Sequence, residues 1–221
     1  MAIDWPVVTQ GFGALAQGAG ALVLAWVGLA GLSSWRKQLK GTRSQALAEE
    51  ALSLVYRVAD GIRHMRQPWA WAGELRKVER AEGESDAEFD QRKEYGVVEV
   101  RYQAHAEAAA QLAAIRFRVQ AVLGEGAKTS IDDVLELLTK VRTEAGNAAR
   151  HKRVVLHQTA LMLRFPADAS RDAYEDAARR LADSERWIQE QLPGEDPAEE
   201  ELSQALRRAE RALADAASLK Q

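Results

Sequence analysis

The 221-residue sequence predicts an all-α protein: an N-terminal transmembrane helix followed by an elongated antiparallel helical bundle. Three observations carry this. Val7 to Leu32 holds no charged residue, and only Thr9, Gln10 and Gln17 are clearly polar. A run of about 20 apolar residues is the length that crosses a bilayer as a helix. Ala, Glu, Arg and Leu dominate the rest, Pro occurs only 5 times, and β-branched runs are absent, which is the composition of helices. Finally, apolar residues recur at steps of three and four along most of the chain.

Asp4-Trp5-Pro6 starts the first helix, with Pro in its first turn. Asp4 is the sole charge before the apolar run, whereas Arg36, Lys37, Lys40 and Arg43 follow it. Lys and Arg close to a span stay on the cytoplasmic side. The expectation is an inner (cytoplasmic) membrane protein with its N-terminus outside and its helical domain in the cytoplasm. A cleaved signal peptide would need a basic start and a shorter apolar core. Trp5 and Trp35 bracket the run about 45 Å apart along a helix, placing both indoles at the headgroups with the four cations.

The run is rich in small residues, among them Gly11, Gly13, Gly18, Gly20, Gly28 and Gly31. Ala14 and Gly18, Ala16 and Gly20, and Ala21 and Ala25 are small-xxx-small pairs that let helix backbones approach closely. The expectation is self-association through this face, with Gln17 hydrogen-bonding across it or lining a wet pore.

Residues 1–34 are thus the anchor, 35–66 a juxtamembrane or stalk helix, and 67–221 a cytoplasmic bundle packing with 45–66. Gly41-Thr42 is the expected hinge. Leu47, Ala51, Leu54, Val58, Ile62 and Met65 form the stripe of the next helix, which Pro68 ends. A short helix is expected over Glu74 to Arg80, then a polar turn, Ala81-Glu82-Gly83-Glu84. Ser85 with Glu88 is a capping box opening a helix to Leu123. Its stripe is Tyr95, Val98, Tyr102, His105, Ala109, Leu112, Ile115, Val119 and Val122.

Gly124-Glu125-Gly126 stops that helix, and Ser130 is expected to cap the next one. A heptad seam from Ile131, Val134, Leu138 and Val141 through Ala145 and Ala148 to Val155, Thr159 and Met162 faces inward, broken only by Lys152. Phe165-Pro166 ends it. Asp168 or Ser170 opens a fifth helix with Tyr174, Ala178, Leu181 and Ile188 inward, closed by Leu192-Pro193-Gly194. Asp196-Pro197-Ala198-Glu199 caps the last, whose stripe is Leu202, Leu206, Ala209, Leu213 and Ala216.

The sequence contains no Cys, which excludes disulfides, thiolate metal sites and cysteine nucleophiles. His64, His105, His151 and His157 have neither H-E-x-x-H nor Glu-x-x-His spacing, the elements of zinc proteases and di-iron bundles. His105 falls on a seam and reads as a satisfied core histidine. Glu144, Asn147 and His151 share a face that reads as solvated. No G-x-S-x-G elbow and no phosphate loop occurs. Asp132-Asp133 and Glu199-Glu200-Glu201 read as first-turn acids complementing helix dipoles. No catalytic residue, cofactor or metal is expected, and the protein is read as a non-enzyme.

Two basic clusters stand out. Arg57, Arg63, His64 and Arg66 lie near a helix C-terminus, an ordinary place for cations. Arg150, His151, Lys152 and Arg153 fall mid-helix, where either an acidic partner or acidic residues on neighbouring helices would answer them. With a net charge of -3, nucleic acid is not expected. Trp69 and Trp71 sit in a turn after Pro68, either capping the bundle end or forming a partner site; capping is favoured because exposed indole pairs are costly unless used.

Trp35-Arg36-Lys37-Gln38-Leu39-Lys40-Gly41, with Val55-Tyr56-Arg57, Asp60, Ile62-Arg63 and Arg66-Gln67-Pro68, resembles bacterial and prophage-encoded single-span membrane proteins of uncharacterised function. The resemblance implies a bacterial source, one N-terminal span and a helical cytoplasmic region, and no activity. The functional expectation is a membrane-anchored helical scaffold or interaction protein that self-associates through its Gly-rich span, its partners being the bilayer, copies of itself and possible further proteins. The alternative is a membrane-perturbing or pore-forming oligomer, such as a phage lysis or defence effector.

Overall fold

The computed structural model describes residues 41–165, 167, 169–192 and 194–218. The expected span lies outside them, with Trp5, Gln17, its glycines, Trp35, Arg36, Lys37 and Lys40. Among the described residues no helix is long and apolar enough to cross a membrane, and all regular structure is helical.

Helix α1 occupies 41–65, followed by α2 (Ala72–Leu75), α3 (Asp86–Leu123), α4 (Glu125–Arg164), α5 (Arg171–Ile188) and α6 (Pro197–Ser218). Cross-helix bonds set their directions. Arg57 and Glu50 of α1 meet Gln111 and Arg118 of α3, so these two run antiparallel. Tyr56 donates to Glu210 at 2.6 Å and Arg63 pairs with Glu199 at 2.8 Å, making α6 antiparallel to α1 as well. Arg142 on Glu99 and Arg116 on Asp132 fix the α3–α4 hairpin.

Helices α5 and α6 follow one another down α4. Ser184 of α5 donates to Glu144 at 2.7 Å, while Lys140 and Asp133 of α4 meet Glu201 and Arg208 of α6. Lys140 marks the junction, its ammonium lying 3.3 Å from the centre of the Trp187 ring. Helix α4, about 60 Å long at 1.5 Å per residue, is therefore the spine. Its N-terminal half belongs to a four-helix bundle with α1, α3 and α6, and its C-terminal half packs with α5 and the start of α3.

The core follows from this geometry. In α1 the expected stripe is buried, and Ala48, Val55 and Ala59 form a second buried row beside it. A helix flanked by several others buries a face wider than one stripe. The α3 row is also buried, joined by Val97 and Ala108, with Tyr102, His105 and Val122 half-buried. In α4 the seam is buried from Ile131 to Ala148, but Val155 and Met162 are only half-buried and Thr159 is exposed. The hairpin register explains this: Arg153 already stands opposite Glu88 in the first turn of α3, so nothing of α3 reaches further along α4.

Several local expectations are corrected. Gly41 and Thr42 are helical, and the hinge expected between them and the anchor adjoins residues outside those described. The short helix is only Ala72–Leu75, ahead of the expected span. Gly124 alone separates α3 from α4, at φ +108, so α4 starts at Glu125. Ser130 is then inside the helix, bonded to the Ala127 carbonyl rather than capping, and Asp132-Asp133 lie beyond the first turn, where they answer Arg116, Lys128 and Arg208. In α5 the fully buried residues are Ala177, Ser184 and Ile188, with Tyr174, Ala178 and Leu181 half-buried; the bond to Glu144 is what lets Ser184 turn inward. The Ser85–Glu88 box, the Ser170 cap and the Asp196 cap form as expected.

Candidate functional site

The C-terminal end of α1 gathers a cluster of polar contacts built on two buried arginines, Arg66 and Arg101. Arg66, 1% exposed, ends α1 beneath the loop joining α5 to α6. Its guanidinium meets Asp196 at 2.6 Å and donates to the carbonyls of Trp187 and Gln189. Asp196 also accepts the backbone N–H groups of Ala198, Glu199 and Gln191. Burial alone would raise the Asp196 carboxyl, but those backbone donors and Arg66 outweigh it and hold it below the usual aspartate value. Treating the cations here as ordinary helix-end charges therefore fails for Arg66. It is a tether between α1 and the start of α6.

Arg101 plays a similar part from α3. It is 3% exposed and donates to the carbonyls of Gln67 and Trp69, at 2.7 and 2.5 Å. Two further bonds, at 2.8 and 2.9 Å, reach the Glu74 carboxylate, which in turn accepts the Trp71 N–H. One guanidinium thus fixes the whole turn from Gln67 to Glu74.

Between these two tethers, His64 Nδ1 lies 3.0 Å from His105 Nε2, the rings meeting edge to face. Such a bond needs one ring nitrogen as donor and the other as acceptor. Burial lowers the His64 pKa from its ordinary value, helped by His105 and Arg101 and opposed by Glu74. Gly61 makes the approach possible, since a Cβ there would sit 2.9 Å from the His105 ring. The pair opens onto a cavity of about 990 Å³ between α1, α6 and the α5–α6 loop. Carboxylates outnumber guanidiniums on its wall, Asp60, Glu190, Asp196, Glu199 and Glu200 facing Arg63 and Arg66. No group of three or more His, Asp or Glu among the described residues is placed to hold a metal ion.

The expected partner residues divide. Trp69 and Trp71 are 80% and 72% exposed, so they do not cap the bundle. Arg101 holds the carbonyls of this turn, while the α1 end at Arg66 is covered by the α5–α6 loop instead. Arg150 and Arg153 line a second cavity of about 330 Å³ between α3 and α4, whereas Lys152, Trp69 and Trp71 do not. Arg150 is bonded to Asn147 of its own helix, and Arg153 lies 3.6 Å from Glu88. Arg43 is exposed on the first described turn of α1. Glu144 is occupied by Ser184, so the Glu144, Asn147 and His151 face includes a tie between helices.

The His64–His105 pair and the Arg101 clamp escaped the sequence reading because their partners are 41 and 27 to 34 residues away. The only local sign was an Arg on an otherwise apolar face of α3. Comparisons with protein-family models, with curated proteins and with solved structures gave no match.

Proposed function

We propose that this protein is a membrane-anchored, non-enzymatic helical scaffold that self-associates through its Gly-rich span and presents a bundle to the cytoplasm. The observation that carries the reading is the charge-free run Val7 to Leu32, closed by Arg36, Lys37, Lys40 and Arg43. Support comes from α1, whose first described turn carries Arg43 and whose apolar stripe is buried from Leu47 to Met65. A bundle with a single spine and an N-terminal strut suits a rigid body held at a membrane.

The test is the mass of the detergent-solubilised full chain beside that of residues 43–221. A closed oligomer for the full chain alone is the expected result, and it assigns assembly to the span. Monomers in both samples sink the self-association reading. Oligomers in both move assembly to the bundle and leave the span a tether.

A further inference from the structure

His64 of α1 and His105 of α3 are both half-buried, and their facing nitrogens lie 3.0 Å apart. Gly61 leaves the His105 ring the space that a side chain would fill. The number of protons on the pair decides whether this contact can exist. While both rings are neutral, one donates from its facing nitrogen and the other accepts with a lone pair. One added proton makes an imidazolium beside a neutral ring and keeps the bond, now charge-assisted. A second added proton sets N–H against N–H and two like charges in contact, so no bond remains. The cavity beside the pair gives water, and hence protons, access to it.

We propose that the His64–His105 contact is a pH-sensitive latch between α1 and α3, closed at neutral pH and released when both rings are protonated. The surrounding charges set the direction. Burial is the largest influence on His64 and disfavours its charged form; His105 and Arg101 of α3 act the same way, and Glu74 of the intervening turn opposes them. On the cavity wall Arg63 is paired with Glu199 of α6, and Arg66 with Asp196 of the α5–α6 loop, so these four charges largely cancel. Asp60 of α1, Glu190 of the loop and Glu200 of α6 line the same cavity and favour charged rings. The balance at His64 is a pKa below its ordinary 6.5. Open, solvated rings therefore take up protons before the closed pair does. As the pH falls below 6.5 the open form gains by up to about tenfold per pH unit for each extra proton it holds. The release is local, because Asp196 stays ionised until well below this range and Arg66 still ties α1 to the α5–α6 loop.

The test is amide hydrogen exchange of the full chain in mild detergent between about pH 7 and about pH 5, each rate divided by the intrinsic chemical rate at that pH. Protection of residues 58–67 should fall by about tenfold or more over this range, while that of 131–148 holds. His105→Phe keeps an aromatic ring beside Gly61 but takes no proton, and it should abolish the fall. His64→Gln should do the same, and is the variant to read should His105→Phe lose its helical circular dichroism. His151→Gln with His157→Gln, both on the C-terminal half of α4, should leave the fall intact. The slope with pH is the readout rather than the level of protection, so a variant that merely packs less well is not mistaken for one that has lost the latch. Constant protection of 58–67 in the parent chain overturns the proposal. So does a fall that persists in the folded His105→Phe or His64→Gln variant, and so does one shared equally by 131–148, which would be global acid destabilisation.

Discussion

Arg66 shows how a single residue joins two distant parts of this chain. Its side chain is 2% exposed and that of Asp196 6%, so neither charge has water to fall back on. Breaking a buried pair by removing one partner leaves the other uncompensated, at about 3–5 kcal/mol. Asp196→Ala should therefore lower the unfolding free energy by about 3 kcal/mol at neutral pH, read by urea denaturation, and it also removes the α6 cap. The effect depends on pH in a definite direction. The folded-state pKa of Asp196 lies below its ordinary value of 3.8, so the unfolded chain takes up the proton first as the pH falls. The stabilisation is complete above about pH 5 and declines as the pH drops through 3.8 towards the folded value. The gap between the parent and Asp196→Ala should narrow over that range. A gap that widened there would show that the carboxylate is not the stabilising form.

At the scale of elements, the α3–α4 junction is the sharpest feature. Helices of 38 and 40 residues reverse direction across one residue, Gly124, at φ +108 and ψ 174. That region of backbone space is essentially confined to glycine, and other residues are strained there by about 1–3 kcal/mol. Gly124→Ala should lower stability by about 2 kcal/mol, although a Cβ at this position would meet nothing within 4 Å. Gly126→Ala also meets nothing and sits at an ordinary helical angle, so it should be neutral or slightly stabilising. Equal effects in the two variants, measured by chemical denaturation, would remove backbone strain as the cause. The sequence flagged a helix break at the three residues 124–126. Only the φ angle singles out the first, because the second glycine is absorbed into α4.

The whole molecule is uneven in its packing. Where α1, α3, α4 and α6 run together, residues such as Leu112, Ile131, Val134 and Leu202 are fully enclosed. Beyond the start of α3, the end of α4 is covered chiefly by α5, and Leu163 and Phe165 are 80% and 58% exposed. Local opening follows buried contact density. Amide hydrogens of 131–148 should therefore exchange only on global unfolding, and those of 155–164 several orders of magnitude faster despite belonging to one continuous helix. Uniform protection along α4 would mean that another surface covers its end.

How much was legible beforehand follows the same division. The helical class, both ends of α3, the C-terminal end of α4, the caps at Ser85 and Asp196 and, as one of two candidates, that at Ser170 were readable, because periodicity, proline and capping are set within a few residues of chain. The inward seam of α4 was readable only to Ala148. Its continuation through Val155 and Met162 has the right spacing, but α3 starts too late to cover it, and spacing carries no information about where another helix begins. The indoles at Trp69 and Trp71 read either as a cap over the bundle end, the favoured alternative, or as an exposed partner site. They are exposed, on a turn whose carbonyls are held by Arg101, a residue more than 30 positions downstream of those carbonyls. The meeting of His64 with His105, made possible by Gly61, was likewise beyond any local pattern. Short-range chemistry thus determined the helical class of this protein and most of its helix ends, though not the start of α4 or the bounds of α2. Which polar groups meet, and which apolar ones stay uncovered, was decided by tertiary register, since those contacts join residues that only the packed helices bring together.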